Sequence, residues 1–197
     1  MSKSRIGEVK RNTKETQISL TLNLDGTGTY IVRTPVPFLT HMLEQFARHG
    51  GFDLTVDAEG DTQIDDHHTV EDTGICIGQA ITRALGEKAG INRYGECTLP
   101  MQEALVRTAL DICGRPHLQY GVKFPGTKIG TFEAELIQDF FISVSNHAGI
   151  TDHIDLLRGE NMHHIAEGIF KSYTRALAHA VRVEGRTTGV PTTKGLL

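Results

Sequence analysis

The sequence predicts an α+β fold in which one structural unit is used twice. Short segments of alternating polar and apolar residues indicate strands, and longer segments with apolar residues three and four positions apart indicate helices. The motif His-His-x-x-Glu occurs twice, at 67–71 and 163–167, each time after the same order of strands and helices. An internal duplication of two half-domains explains both the order and the repeated motif.

The first unit begins with a predicted β-hairpin. Residues 16–24 alternate polar and apolar side chains, and residues 29–33 resume the extended pattern. Between them, Asp25 and Gly26 form a dipeptide that is typical of a tight turn.

A helix, a strand and a second helix complete the first unit. Pro37 opens a helix over 38–51, which ends at a pair of glycines. Residues 52–61 alternate again and predict a strand, and Asp65 and Asp66 are good caps for the helix that follows. The buried face of that helix is expected to carry Val70, Ile77, Ala80, Ile81, Ala84 and Leu85.

The second unit repeats this order. Its strands are expected at 104–112, 117–124 and 150–157, with a tight turn at 113–116, and its helices at 132–149 and 163–181. Superposing His67 on His163 also superposes Glu71 on Glu167 without a gap, and polar residues of this kind have no packing reason to recur. We therefore expect residues 1–94 to form the first half-domain, and residues 95–197 the second half-domain with a C-terminal tail.

Composition excludes several classes of protein. The net charge is only -4 and 22% of residues are charged, so neither nucleic acid nor another polyanion is an expected partner. The three cysteines, Cys76, Cys97 and Cys113, lack C-x-x-C spacing and indicate buried thiols in a reducing, cytoplasmic setting. The N-terminal residues do not resemble a signal peptide and no run of eighteen apolar residues occurs, so no membrane span is expected.

The repeated motif has the geometry of a metal site on a helix. His67 and Glu71 are four residues apart and share a helix face, while His68 and Glu71 are three apart and are also neighbours. The two histidines diverge by about 100°, so we expect them to serve different metals. Glu71, and not Asp72, is the expected carboxylate ligand, with the aspartates at 65–66 acting as cap and outer partners.

Counting the candidate ligands gives two equal sets. Six histidines and two glutamates divide into two sites, each of three nitrogens and one carboxylate, with coordination positions left for a substrate. These residues are His41, His67, His68, Glu71, His153, His163, His164 and Glu167. Mixed imidazole and carboxylate ligation suits manganese, iron or zinc, and the motif is not the H-E-x-x-H helix of metallopeptidases. A single histidine pair would ordinarily be a surface or core feature; the second copy in register favours the metal.

Four cations at turns or beside the motifs suggest a bound phosphate: Arg93, Arg115, Lys171 and Lys194. Any one of them alone would ordinarily be a solvated surface charge. Lys171 lies four residues after Glu167 on the same helical face, and Thr192 adds a hydroxyl to the C-terminal sequence TTKG.

Taken together, several stretches closely resemble the imidazoleglycerol-phosphate dehydratase family across nearly the whole chain: RNTKET, PFLTHMLEQFARHGGFDL, IDDHHTVEDTGI, GINRYGE, GRPHLQY, HHIAEGIFKSYTRAL and PTTKG. The resemblance implies two half-domains like domain 2 of ribosomal protein S5, each with a mixed four-stranded sheet and helices on one face. It leaves the fourth strand of each sheet to the neighbourhood of Phe132 or to segments without a clear pattern. It also implies two Mn²⁺ ions per active site and a homo-oligomer of twenty-four chains with active sites at subunit interfaces.

The resemblance further implies a reaction and residue roles. D-erythro-imidazole glycerol phosphate would lose water to give imidazole acetol phosphate, via a metal-stabilised imidazolate. The eight residues counted above would bind metal and Glu15 would be the catalytic carboxylate. Arg93, Arg115, Lys171, Thr192 and Lys194 would hold the phosphate, and Gln45 and His49 would line the substrate pocket.

Four residues depart from the family pattern beside the expected ligands: Thr40, Gln63, Asp152 and Met162. They put the outer partners of the metal ligands in doubt, since such partners orient metal-bound imidazoles. Two other functions use the same residues. One is a metal-dependent hydrolase of a small phosphate ester, and the other is a non-enzymatic module for metal storage or sensing.

Overall fold

The structure is a computed structural model, which describes residues 5–184 and 189–195. The strands are β1 (Ile6–Asn12), β2 (Thr16–Asn23), β3 (Tyr30–Arg33), β4 (Asp53–Gly60), β5 (Tyr94–Met101), β6 (Ala104–Asp111), β7 (His117–Gly121), β8 (Lys128–Ile129), β9 (Phe132–Glu133) and β10 (Thr151–Arg158). The helices are α1 (Pro37–Gly50), α2 (His67–Leu85), α3 (Leu136–Ala148) and α4 (Met162–Ala180).

Two four-stranded mixed sheets share one topology. Their strand orders are β1-β2-β4-β3 and β5-β6-β10-β7, and in each sheet only the last pair is parallel. The register also repeats, because Leu54 lies opposite Leu22 in the first sheet as Asp152 lies opposite Leu110 in the second. The predicted fold class, an α+β fold with an internal duplication, is therefore confirmed, while the boundary after residue 94 stays a prediction.

The predicted hairpin between residues 16–24 and 29–33 is wrong. β4 lies between β2 and β3, antiparallel to the first and parallel to the second. The turn at Asp25 and Gly26 is instead held against the start of β4, where the Asp53 carboxylate accepts hydrogen bonds from the backbone of Thr27 and Thr29. Likewise, β6 and β7 are strands as predicted but are separated by β10.

The fourth strand of each sheet does not come from the neighbourhood of Phe132. β1 and β5 supply it, and each forms an antiparallel hairpin with the next strand in the chain. Phe132 belongs to β9, which pairs with β8 in a separate two-stranded ribbon and packs its ring against Phe38 at 5.0 Å. The helix predicted to start at residue 132 therefore starts at Leu136.

Each of the long helices α2 and α4 packs closely on the first hairpin of its own half. A Cβ atom added to Gly7 on β1 would overlap the carbonyl oxygen of Ala80, and one added to Gly95 on β5 would overlap that of Ala176. Only glycine allows this approach of strand to helix. The helices also pack across the duplication, α1 on α4 and α2 on α3, so one apolar core joins the two halves.

Two further expectations concern the cysteines and membranes. Cys76 and Cys113 are buried and Cys97 is half-buried, and all three are free thiols. Within residues 5–184 and 189–195, the structure contains no helix with the length and apolarity needed to cross a membrane.

Candidate metal and phosphate site

Helices α1 and α4 bring three of the predicted ligands into contact. Nε2 of His41 and Nε2 of His163 each lie 3.0 Å from the same oxygen, Oε1 of Glu167. Asn161 fixes the start of α4, because its side-chain oxygen accepts hydrogen bonds from the backbone N–H groups of His163 and His164. The rings of Phe38 and His163 meet in a T-shaped arrangement, at a centroid distance of 5.5 Å.

Glu167 is the electrostatic centre of this cluster. Burial on its own raises the pKa of a carboxyl group, but hydrogen bonds from Lys171, His41 and His163 more than offset burial and lower the pKa of Glu167 to about 2. The carboxyl group is thus ionised at neutral pH, with Lys171 on one oxygen and both imidazoles on the other.

The three side chains fit a metal ion. One ligand atom from each of them lies within 4.8 Å of the other two. Ligands about 2.1 Å from a metal and at right angles to each other are about 3 Å apart, which matches the two 3.0 Å separations at Glu167. Two imidazoles and one carboxylate are also the donor set expected for manganese, iron or zinc.

The first copy of the motif lies in a looser but equivalent arrangement. Nε2 of His67 is 4.0 Å from Oε2 of Glu71, and Nδ1 of His67 is 3.7 Å from Oδ2 of Asp139 on α3. Asp139 precedes the helix-ending Gly149 by ten residues, as His41 precedes Gly51, so it holds the equivalent place in the duplication. The first half therefore offers one imidazole and two carboxylates where the second offers two imidazoles and one carboxylate.

The second histidine of each motif points to a different carboxylate. Nδ1 of His68 lies 3.0 Å from Asp61, and this contact raises the pKa of His68. Nε2 of the same ring is 3.9 Å from Oε1 of the exposed Glu15. Nδ1 of His164 lies 2.7 Å from Glu103, and mainly this hydrogen bond lowers the pKa of Glu103 to about 2.

One copy of the chain does not assemble all eight predicted ligands. Within the described residues, only His41, His163 and Glu167 meet the geometry of a shared metal ligand set. His153 is exposed on β10, on the opposite face from the buried Ile154, and its ring centroid lies 6.3 Å from that of His117. His67 and Glu71 form a separate group, as do His164 and Glu103.

Four of the five predicted phosphate residues line a common cavity of about 510 Å³: Arg93, Arg115, Thr192 and Lys194. Arg93 is firmly held there by Asp111, which accepts from its Nε at 2.6 Å and from its Nη2 at 3.0 Å, and by the carbonyl oxygen of Pro191 at 3.0 Å. The face of the Tyr94 ring lies under the Arg93 guanidinium, 4.8 Å from it. Arg93, which directly precedes β5, thus binds the C-terminal segment at Pro191.

Lys171, the fifth predicted phosphate residue, lies instead at the metal cluster, on Glu167. The two predicted pocket residues are on the neighbouring α1, where Nε2 of His49 lies 3.0 Å from Oε1 of Gln45. Burial, together with Lys171 and Arg175, lowers the pKa of His49 and keeps its ring neutral at neutral pH. Gln45 and His49 follow His41 on one face of α1, and Lys171 follows Glu167 on one face of α4.

Within the described residues, no side-chain hydrogen bond or ion pair joins the four departures from the family pattern to the predicted ligands. Thr40 bonds to the hydroxyl of Thr34 at 2.9 Å, Gln63 lines a surface pocket beside Glu15, and Met162 packs at Gly126. Asp152 is fully buried, on the opposite face of β10 from His153. Of the two predicted caps of α2, Asp65 accepts a hydrogen bond with its side chain, from the backbone N–H of His67, whereas the Asp66 side chain caps no N–H group of the described helix.

Three carboxylates that contact the candidate ligands were missed from the sequence: Asp61, Glu103 and Asp139. One signal was available for Glu103. It lies 88 positions after Glu15, the same separation that relates Leu110 to Leu22 in the paired strands.

Known proteins resemble this chain over nearly its full length. A family model described as imidazoleglycerol-phosphate dehydratase matches residues 34–177. The chain is 57% identical over 194 residues to the imidazoleglycerol-phosphate dehydratase of Paracoccus denitrificans (strain Pd 1222) and 55% identical to that of Ruegeria sp. (strain TM1040). Both alignments cover 98% of this chain and 100% of the relative.

Solved structures with the same description share the fold. The Staphylococcus aureus enzyme superposes with a TM-score of 0.83 at 40% identity, covering 91% of this chain and 99% of the other. The Pyrococcus furiosus enzyme, solved in complex with (S)-C348, gives a TM-score of 0.83 at 33% identity, covering 96% and 100%.

Proposed function

Because the chain belongs to the imidazoleglycerol-phosphate dehydratase family, and is thus a hydro-lyase of histidine biosynthesis, we propose that it dehydrates D-erythro-imidazole glycerol phosphate in a metal-dependent reaction. The product is imidazole acetol phosphate, and each active site uses two divalent metal ions, Mn²⁺ or a chemically similar ion. The observation that supports the metal dependence best is the convergence of His41, His163 and Glu167.

The metal ligands in this proposal are the eight residues of the two motifs and their histidine partners: His41, His67, His68, Glu71, His153, His163, His164 and Glu167. Metal ions held by these residues would supply Lewis acidity to the imidazole ring of the substrate. Glu167 carries the negative charge at the second motif, and the Lys171 ammonium balances that charge on its outer oxygen.

Other residues of the chain bind the phosphate and move the proton. Arg93, Arg115, Thr192 and Lys194 bind the phosphate in the cavity that they line. The hydroxyl beside the ring would leave as hydroxide and become water with the proton released by the imidazole N–H. Glu15 accepts the proton of the adjacent carbon and returns it to the ring nitrogen, and the resulting enol ketonises. His49 stays neutral and, with Gln45, presents hydrogen-bonding groups to the substrate.

The separation of these groups supports an active site shared between copies of the chain. The phosphate cavity and the cluster of His41, His163 and Glu167 have no residue in common. We propose that neighbouring chains in a homo-oligomer of twenty-four complete each site, and that the enzyme works in the cytoplasm.

The test of the proposed function compares two substrate classes. The manganese-loaded protein should convert imidazole glycerol phosphate to imidazole acetol phosphate and should release no inorganic phosphate from generic phosphate esters. Release of phosphate without dehydration would instead identify a metal-dependent hydrolase and overturn the proposal. Glu167→Gln serves as a negative control, because it removes the ionised carboxylate from the ligand set.

A further inference from the structure

We propose that Asp61 and Glu103 are positioning residues, which fix the ring orientation and the tautomer of His68 and His164 so that Nε2 of each ring is free to bind metal. The inference rests on the proposed metal role of these two histidines. Neither carboxylate is among the predicted metal ligands or the predicted substrate-binding residues. Their function is exerted through the imidazoles that they hold.

Asp61 and Glu103 contact the same nitrogen of their histidines but do not occupy equivalent positions in the duplication. Glu103 precedes β6 as Glu15 precedes β2, so these two glutamates are equivalent in the duplication. Glu15, however, lies at the Nε2 side of its histidine, whereas Glu103 lies at the Nδ1 side of its own. In the first half the Nδ1 side is taken by Asp61, which follows β4.

The geometry at His68 determines which nitrogen carries the proton. Both carboxylate oxygens of Asp61 lie within hydrogen-bonding distance of Nδ1, at 3.0 and 3.1 Å. An ionised carboxylate can only accept a hydrogen bond, so Nδ1 must be the donor. In the neutral ring Nε2 then keeps its lone pair, which is the form that binds a metal.

Glu103 likewise accepts a hydrogen bond from Nδ1 of His164, and it also binds a backbone N–H group. One oxygen accepts from Nδ1 of His164 at 2.7 Å, and the other accepts from the backbone N–H of Asn161 at 2.9 Å. Asn161 is the residue that caps α4, so Glu103 links the loop before the helix to the ring on its first turn. Both of its oxygens therefore act as acceptors.

This difference predicts opposite results for two conservative substitutions. In Asp61→Asn, the single amide oxygen can still accept from Nδ1, because Asp61 makes no other side-chain hydrogen bond within the described part of the chain. In Glu103→Gln, the amide oxygen stays with the backbone of Asn161 and the amide NH₂ faces His164. The neutral ring then accepts at Nδ1 and carries its proton on Nε2, where metal should bind.

The experiment measures Mn²⁺ binding to the full-length protein by isothermal titration calorimetry, together with the melting temperature in EDTA. We expect Asp61→Ala and Glu103→Gln to lower the affinity for Mn²⁺ by roughly 10- to 100-fold, the usual effect of removing an outer partner of a metal ligand. Asp61→Asn should retain affinity within a few-fold. Glu87→Gln removes an exposed carboxylate elsewhere and should bind Mn²⁺ like the unchanged protein.

The outcomes separate this inference from a structural role. Unchanged Mn²⁺ affinity in Asp61→Ala and Glu103→Gln would overturn it, as would an Asp61→Asn protein that loses as much affinity as Asp61→Ala. A fall in melting temperature in EDTA that accounts for the lost affinity would show that the carboxylates only support the fold. If the unchanged protein binds no Mn²⁺, the proposed metal dependence itself fails, and this inference fails with it.

Discussion

Asp152 is expected to destabilise the protein at neutral and alkaline pH. The residue is fully buried, and the only hydrogen bond to its carboxyl group within the described residues comes from the hydroxyl of Ser145, while Oδ1 has no partner. The nearby Tyr173 hydroxyl is also buried and unpaired. The equivalent position in the first half, identified by strand register, is the apolar Leu54. Asp152 is therefore a polar substitution within an apolar layer.

The size of the effect follows from the pKa of the group. Burial raises the pKa of Asp152 from 3.8 to about 7, and the hydrogen bond from Ser145 offsets only part of that rise. The folded state thus binds this proton more tightly than the unfolded state, so stability falls as pH rises from about 4 to about 7. With 1.36 kcal/mol for each pKa unit, the cost is about 2 kcal/mol at pH 5 and about 4 kcal/mol at pH 8.

Asp152→Asn tests this reasoning, since it removes the titration and keeps an oxygen to accept from Ser145. The melting temperature of the variant relative to the unchanged protein should increase by roughly 4–10 °C more at pH 8 than at pH 5, for a chain of this size. Asp155→Asn, on the same strand, breaks only a partly exposed pair with Arg107 and should change stability by less than about 1 kcal/mol. If the difference in melting temperature between Asp152→Asn and the unchanged protein stayed constant from pH 5 to pH 8, the account would be refuted.

Three further predictions concern the reaction and the duplication. Glu15→Gln should lower kcat by about 10²- to 10⁴-fold with the manganese content unchanged, and a near-normal rate would remove Glu15 from proton transfer. Lys194→Ala should raise KM for the substrate roughly tenfold, because a charged hydrogen bond to the phosphate is lost; Lys123→Ala is the matched control, and equal KM values for the two variants would contradict the assignment. Gly95→Ala should destabilise the protein by about 1–3 kcal/mol in thermal unfolding, because its methyl group overlaps the backbone of Ala176, and unchanged stability would show that β5 and α4 are not so closely packed.

The helices could be predicted from the sequence because their signals are local. Pro37 starts α1 and Gly51 ends it in the left-handed conformation, and the apolar spacing of α2 and α4 covers many turns. Strand pairing could not be predicted in the same way, because it joins residues far apart in the chain. The Asp25–Gly26 dipeptide indicated a hairpin, but it does not encode the insertion of β4 between the two strands.

The ligand types of the site were equally accessible from the sequence, whereas their grouping was not. The i, i+4 spacing placed His163 and Glu167 on one helix face, and they do lie 3.0 Å apart. Which side chains from other elements join them depends on packing: α1 delivers His41 to this pair, while β10 turns His153 away from it. Lys171 illustrates the same limit, because its spacing indicated contact with Glu167 but not that it lies apart from the other three cations.

The most direct test of the metal-dependent dehydration is the removal and return of the metal. Protein treated with EDTA at neutral pH should lose the ability to form imidazole acetol phosphate, and activity should return as Mn²⁺ is added, reaching its maximum at two ions per chain. Full activity in protein shown by elemental analysis to contain no metal would contradict the central claim.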